Sequence, residues 1–353
     1  MKKRILTTLA LMLCALLVLA ACNGNGNGNG GQATAPATGA EPAAGADENG
    51  DDGWEQAPLT RLIMVTGGTG GIYYPFGGVL AGVVNARTNL QITPNASEAS
   101  VDNLGQLASG DAHVAIAQND VMSYAFYGTG FWADAGRAPV PTLATLMTLY
   151  PEVLQVVVAG DSGIYSVADL AGRLVSIGGP GSGVEANALQ VLAAYGLTRD
   201  DIDAVQLGFA PSADAMRDGN LDAFFVTSAA PNTAVFDLSR ARDLRIIPLS
   251  EAAMTSLLGT YDFYVRVSLT ADDYEFLTEP VQTLAVQATL VATVDMDEQV
   301  AYDIVRAIFE GREDVIMGHA RGEYISAENA VASLSVPLHP GAERFFREIG
   351  AIN

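Results

Sequence analysis

Apolar residues recur along this chain in two alternating patterns. Short dense runs such as Leu62-Ile-Met-Val-Thr66 and Val114-Ala-Ile-Ala117 read as buried strands. Longer stretches with apolar positions three and four apart read as helices. After the first run comes the loop Gly67-Gly-Thr-Gly-Gly71, then a stripe of Ile72, Phe76, Val79, Leu80 and Val83. Pro75 stands in the first turn of that helix, where a missing N–H costs little. Ile92 marks a short strand; Val101, Leu104 and Leu107 mark a second helix, which Gly110 ends. The arrangement then repeats: Leu174-Val-Ser-Ile177 as strand, Gly178-Gly-Pro-Gly-Ser-Gly183 as loop, and a helix with Val184, Ala188, Val191, Leu192 and Tyr195 on one stripe. Ser182-Gly-Val-Glu185 fits a capping box and Gly196 a helix-terminating glycine. Leu221–Val226, Leu244–Ile247 and the β-branched run from Val281 to Val294 read as further strands; helices are expected after Pro231 and from about Asp297 to Glu310. Strands alternating with helices predict an α/β fold with a mainly parallel sheet. Two separate strand–glycine–helix units predict two such lobes, with a ligand cleft at the carboxyl ends of their strands.

The first residues break the pattern. Lys2, Lys3 and Arg4 precede an apolar run from Ile5 to Val18, too short for a comfortable membrane span, and then Leu19-Ala-Ala-Cys22. This is the layout of a secretory signal, and its ending resembles a bacterial lipobox. The resemblance implies a signal peptide over 1–21, cleavage before Cys22 and a lipid on its sulfur. Residues 22–58 hold an Asn-Gly repeat followed by Gly, Ala, Pro, Thr and acids, with Trp54 as sole aromatic. Such a segment buries too little surface to offset its ordering entropy. It reads as a flexible tether, roughly 30–35 Å long as a coil.

Composition narrows the function classes. The 353 residues carry 18 Lys+Arg against 40 Asp+Glu, a formal charge of −22. Loss of Lys2, Lys3 and Arg4 with the signal takes this to −25 and leaves no lysine. That balance argues against nucleic acid or an anionic membrane surface as partner. Two cysteines and three scattered histidines (His113, His319, His339) build neither a disulfide framework nor a metal centre, and no cofactor motif is complete. The first glycine loop lacks the Gly-Lys-Ser/Thr ending of a phosphate loop, and Tyr73 stands where a dinucleotide fingerprint needs its third glycine. Pro180 breaks a Gly-x-Ser-x-Gly match at Ser182. What remains is chemistry suited to holding an anion: glycines allow close backbone approach, and first-turn N–H groups lack intrahelical partners. The plain alternative is that these glycines only make tight turns.

The segment Thr66-Gly-Gly-Thr-Gly-Gly-Ile-Tyr-Tyr-Pro-Phe-Gly-Gly78 resembles the opening motif of the TAXI family, the extracytoplasmic solute-binding proteins of one class of TRAP transporters. Similar motifs follow in order: Ser100-Val-Asp-Asn-Leu104, Ala117-Gln-Asn-Asp120, Leu149-Tyr-Pro-Glu152, Asp169-Leu-Ala-Gly172, the second glycine loop, Asp222-Ala-Phe-Phe225 and Leu338-His-Pro-Gly-Ala342. The resemblance implies the two-lobed type II periplasmic-binding-protein fold with the chain crossing twice between lobes. Lobe one is expected over 59–155 and 262–353, lobe two over 156–261. One departure is Thr227-Ser-Ala-Ala-Pro231, where related proteins often carry glycine.

Candidate ligand residues in lobe one are Gly68, Thr69 and Gly70, then Tyr73, which stacks on a ligand, donates to it or fills the core. Gln118 is a polar group after a buried strand, Asn103 faces either cleft or solvent, and Asp120 reads as a helix cap. In lobe two they are Ser182, Gly183 and Val184 at a helix start, with Thr227 and Ser228 after an apolar run. His339 reads as a cap of the final helix. Arg61, Arg87 and Arg173 remain distant contributors, because neither loop contains arginine.

The resemblance implies a non-enzymatic protein on the outer face of a bacterial cell membrane or in the periplasm, anchored through Cys22. It would deliver a small organic anion, such as glutamate, 2-oxoglutarate or a similar dicarboxylate, to a TRAP-type membrane permease. A ligand-presenting sensor would show the same pocket. An extracytoplasmic hydrolase would need a base within about 3 Å of the Ser182 hydroxyl. Gly183→Asp is expected to stay folded but to repel a bound carboxylate.

Overall fold

A computed structural model describes residues 59–353. The expected signal segment, the expected lipid on Cys22 and the expected tether all fall outside the described residues. Ten strands share one sheet: β1 (Thr60–Val65), β2 (Leu90–Asn95), β3 (Val114–Gln118), β4 (Leu143–Ala159), β5 (Leu174–Ser176), β6 (Asp203–Val205), β7 (Ala223–Ser228), β8 (Leu244–Ile246), β9 (Val265–Leu269) and β10 (Val281–Thr293). Among the described residues there are twelve α-helices: α1 (Tyr73–Arg87), α2 (Ser100–Ser109), α3 (Asn119–Tyr127), α4 (Gly130–Asp134), α5 (Gly183–Ala194), α6 (Phe209–Arg217), α7 (Thr233–Ser239), α8 (Glu251–Thr260), α9 (Glu298–Glu310), α10 (Arg312–Gly318), α11 (Ala327–Ala330) and α12 (Pro340–Glu348).

The order β2-β1-β3-β10-β4-β7-β5-β6 joins two parallel trios through two antiparallel strands. The sheet is therefore mixed rather than mainly parallel. β4 has 17 residues and β10 has 13, and both cross from one trio to the other. β10 pairs with β3 through Ala288–Val291 and with β9 through Val281–Ala285. β4 takes up β7 only from Val153 onward. Pro151 sits just before that point, and its missing ladder donor coincides with the change of partner. The side chain of Asn119 extends the ladder there, accepting from Gln287 N at 2.9 Å.

Each trio has its own packed layer. Phe76, Leu80 and Val84 of α1 bury against Met64, Ile92 and Ile116, with Ile304, Ile308 and Phe346 behind. On the other side Phe224, Val235 and Leu238 bury with Leu269, Tyr274, Leu277 and Val281, although 262–281 was expected in lobe one. A third cluster bridges the two, with Val101 and Val121 meeting Val184, Ala188 and Val191. Burying a side chain of this size yields about 1.5–3 kcal/mol.

Candidate functional site

The two glycine loops face each other. A Cβ on Gly70 would lie 3.3 Å from Cβ of Ala210, and one on Gly183 would lie 1.5 Å from Oε1 of Gln118. The absence of a side chain at 183 thus makes room for the end of the Gln118 side chain, which any Cβ there would push aside. The seam is also stitched by Val101 N–H donating to Gly181 O at 3.0 Å.

Between the loops lies a cavity of about 360 Å³. Gly68, Thr69, Gly70 and Tyr73 line one wall, with Gln118 beside them; Ser182, Gly183, Val184, Thr227 and Ser228 line the other. Asn103 does not reach it. Asn103 is fully buried and ties β1 to β3, donating to Thr66 O at 2.6 Å and Ile116 O at 2.8 Å and accepting from Ser97 Oγ. A buried amide can hardly do otherwise, since each unmet polar atom costs about 1–3 kcal/mol. Sequence reasoning missed Glu98–Ser100, the Gly208–Pro211 start of α6, and Glu152. Of these only Ser100 and Glu152 carried a signal, at the start of the Ser100-Val-Asp-Asn-Leu104 motif and the end of the Leu149-Tyr-Pro-Glu152 motif.

Four helices start at this cavity, α1 after Ile72, α2 after Ala99, α5 after Ser182 and α6 after Gly208, and α3 starts beside it after Gln118. In none does a side chain cap the first turn. The expected capping box at Ser182 does not form, because Ser182 Oγ donates to Gly179 O at 2.7 Å and Glu185 instead binds Arg199 and Gln206. The same bond commits the Ser182 hydroxyl proton to a backbone carbonyl.

The charged residues lining the cavity, Glu98 and Glu152, are both acidic. Glu152 is 3% exposed and accepts from Tyr73 OH at 2.6 Å. Burial, then the nearby Asp120 carboxyl, push Glu152 up to about 8, against the hydrogen bonds from Tyr73 and Gln118. Tyr73 is thus neither a plain core aromatic nor a free donor. Its hydroxyl is committed, and burial raises its pKa further. Asp120 is not the residue that precedes α3, which is Gln118; it is buried in the first turn, where the backbone N–H groups of Asp120 and Val121 act on its carboxylate, and it accepts from Asn187 of α5 at 2.7 Å. Burial raises it to about 6, opposed by that bond. Four buried polar atoms have no partner among the described residues: Gln118 Oε1, Asp120 Oδ1, Asn187 Oδ1 and Tyr150 OH. His339 does cap α12, its Nδ1 accepting from Gly341 N at 3.2 Å.

A family model matches residues 64–350, nearly all of this lobed body. The chain belongs to the NMT1-like family. A solved protein of Bordetella bronchiseptica RB50 shares the fold at a TM-score of 0.50 and 18% identity, over 83% of this chain and 90% of that one. The alkanesulfonate-binding protein SsuA from Xanthomonas axonopodis pv. citri, bound to MOPS, is similar at 0.47 and 18%, over 83% and 85%. A putative L-cystine ABC transporter protein from Listeria monocytogenes is similar at 0.47 and 12%, over 72% and 92%. The NMT1-like chain has the α/β, two-lobed periplasmic-binding-protein fold, with its cavity between the lobes. Among its described residues, no helix is long and apolar enough to cross a membrane, and no cluster of three His, Cys, Asp or Glu is placed to hold a metal.

Proposed function

We propose that this NMT1-like protein captures a small carboxylate-bearing solute in its cleft and hands it to a membrane permease. The observation that carries this is the convergence of four uncapped helix starts on one cavity. Each start presents N–H groups with no intrahelical acceptor and the positive end of a helix dipole. One terminus contributes about 0.3–2 kcal/mol toward a charge. Micromolar affinity needs about −8 kcal/mol, so several termini acting together with Thr69, Gln118, Thr227 and Ser228 approach what is required. The cavity volume suits a molecule the size of glutamate, 2-oxoglutarate or a similar dicarboxylate.

The ordered motifs of the TAXI type favour an ion-driven TRAP permease as recipient. They also favour an extracytoplasmic location, with the body tethered through a lipid on Cys22. The lobes move about the two crossing strands. We place the hinge at Tyr150–Val153 of β4 and Ala285–Ala288 of β10, where the ladder partners change, so that β9 travels with lobe two. Closure is driven by ligand contacts made to both lobes at once.

Native mass spectrometry of the purified protein, followed by titration with amino acids and dicarboxylates, tests the reading. A co-purifying small carboxylate, bound with a decrease in radius of gyration, is the expected result. Absence of affinity for every carboxylate tried overturns it. For the anchor, palmitate label lost in Cys22→Ala is expected, and equal label on both proteins is the contrary result.

A further inference from the structure

We propose that Glu152, with the side-chain oxygen of Gln118, selects ligands that carry an amine and rejects the matching keto acids. This deepens the carboxylate-capture reading and rests on it.

The cavity has two chemically distinct sides. Helix starts supply N–H donors, which suit a carboxylate. The floor supplies acceptors. Glu152 rises from β4 into the cavity, and beside it Gln118 Oε1 is buried with no donor. No Lys, Arg or His lines the cavity among the described residues, so no cation of the protein neutralises this floor. The groups facing Glu152 from the surrounding elements are Tyr73 on α1, Gln118 on β3, Asp120 on α3 and Tyr150 on its own strand. Arg321, on the segment before α11, acts on Tyr150 through its charge and donates its own hydrogen bond to Ala230 O. Glu98 sits on the cavity wall.

An ammonium brings three donors to this floor. It satisfies the Gln118 oxygen and pairs with Glu152 as a carboxylate. A keto oxygen brings none: Gln118 Oε1 stays unpaired, and Glu152 must keep its proton to donate. A buried acceptor left unmet is what lets a site reject an analogue lacking the donor. The same geometry couples binding to a proton. Burial holds Glu152 protonated in the free protein up to about pH 8, and an adjacent ammonium favours its ionised form. At pH 7 an amine-bearing ligand therefore expels a proton into solution, and its affinity rises with pH toward 8.

The test uses three matched pairs: L-glutamate and 2-oxoglutarate, L-alanine and pyruvate, L-leucine and 4-methyl-2-oxopentanoate. Isothermal titration of the wild type at pH 7 is expected to favour the amino acid of at least one pair by about tenfold or more. Glu152→Gln keeps the size of the side chain and an acceptor for Tyr73, and should bring that ratio to about one. Should this variant not fold, the wild type alone decides. Titration in phosphate and in Tris should show a proton released with the amino acid and none with its keto partner. An unchanged ratio in Glu152→Gln, or no proton release, overturns the proposal. If keto acids bind and amino acids do not, the role of Glu152 falls while carboxylate capture stands. If no carboxylate of any kind binds, both fall.

Discussion

Helix α12 begins at His339, and the imidazole turns inward to accept from Gly341 N. Helix α5 begins at Ser182, a residue equally able to cap, yet its hydroxyl turns away to Gly179 O. The contrast extends further. Asn232, Ser250, Asp297 and Ser326 cap α7, α8, α9 and α11, all away from the cavity. The four helices that start at the cavity, and α3 beside it, carry no such cap, and of the rest only the short α4 and α10 share that lack. Where the helix end serves the fold, the chain provides its own acceptor. Where it faces the cleft, no side chain provides the acceptor, and the one first-turn donor met across the seam, Val101 N–H, goes to Gly181 O. The cost to the fold is about 1 kcal/mol for each missing cap.

The largest effect is expected from closing the gap across the seam. In Gly183→Asp the new Cβ falls on Gln118 Oε1 and lies 3.1 Å from Val121 Cγ2, so the end of the Gln118 side chain must swing aside and Val121 must give slightly. Displacement of Gln118 adds to the repulsion between the new carboxylate and a bound one. Affinity should drop at least a hundredfold, about 2.7 kcal/mol by titration. Small-angle scattering should show an opened form, and an unchanged radius with ligand would speak against a seam at Gly183.

Next in size is Asp120, a carboxyl in the first turn of a cleft helix. Its folded pKa of about 6 lies above the ordinary value of 3.8, so the native state holds the proton more firmly. Its stabilising contribution is full below about pH 4 and is lost as pH rises through 6. Asp120→Asn should raise stability at pH 7 on the order of 2 kcal/mol and flatten the profile between pH 4 and 6. Urea unfolding across that range measures it; a variant less stable at pH 7 would reverse the sign.

Supplying a cap where none exists sharpens the comparison. Ser182→Asp places a carboxylate at the start of α5, which favours the helix and occupies the place of a ligand carboxylate. Melting should hold or rise while affinity falls about tenfold, ~1.4 kcal/mol. Removing a cap that serves only the fold does the opposite. His339→Ala should cost about 1 kcal/mol of stability and leave affinity untouched. The smallest effect belongs to Gly68→Ala, whose Cβ meets nothing within 4 Å. Affinity there should stay within about threefold of wild type by titration, and a large loss would mean that the first loop closes further than the geometry shows.

Elements with strong periodicity were legible in the chain itself: α1 with its Phe76–Leu80 stripe, α9 with Ile304 and Ile308, β3, β7 and β10. β4 was not. It is buried on both faces, so it shows no apolar–polar alternation, and Pro151 in its interior argues against a strand. Its polar residues Thr145, Thr148, Glu152 and Gln155 look like ordinary surface positions, yet all are buried. Composition alone argued against nucleic acid or an anionic surface as partner, and the two glycine loops alone marked both walls of the cleft. Tertiary structure decided the rest, because partnership is a matter of distance in space. Asn103 and Gln118 are both amides after apolar residues. Only packing gives the first three hydrogen bonds inside lobe one and leaves the oxygen of the second bare against Gly183. Glu152 becomes a cavity group only because β4 runs under both loops and desolvates its carboxyl there.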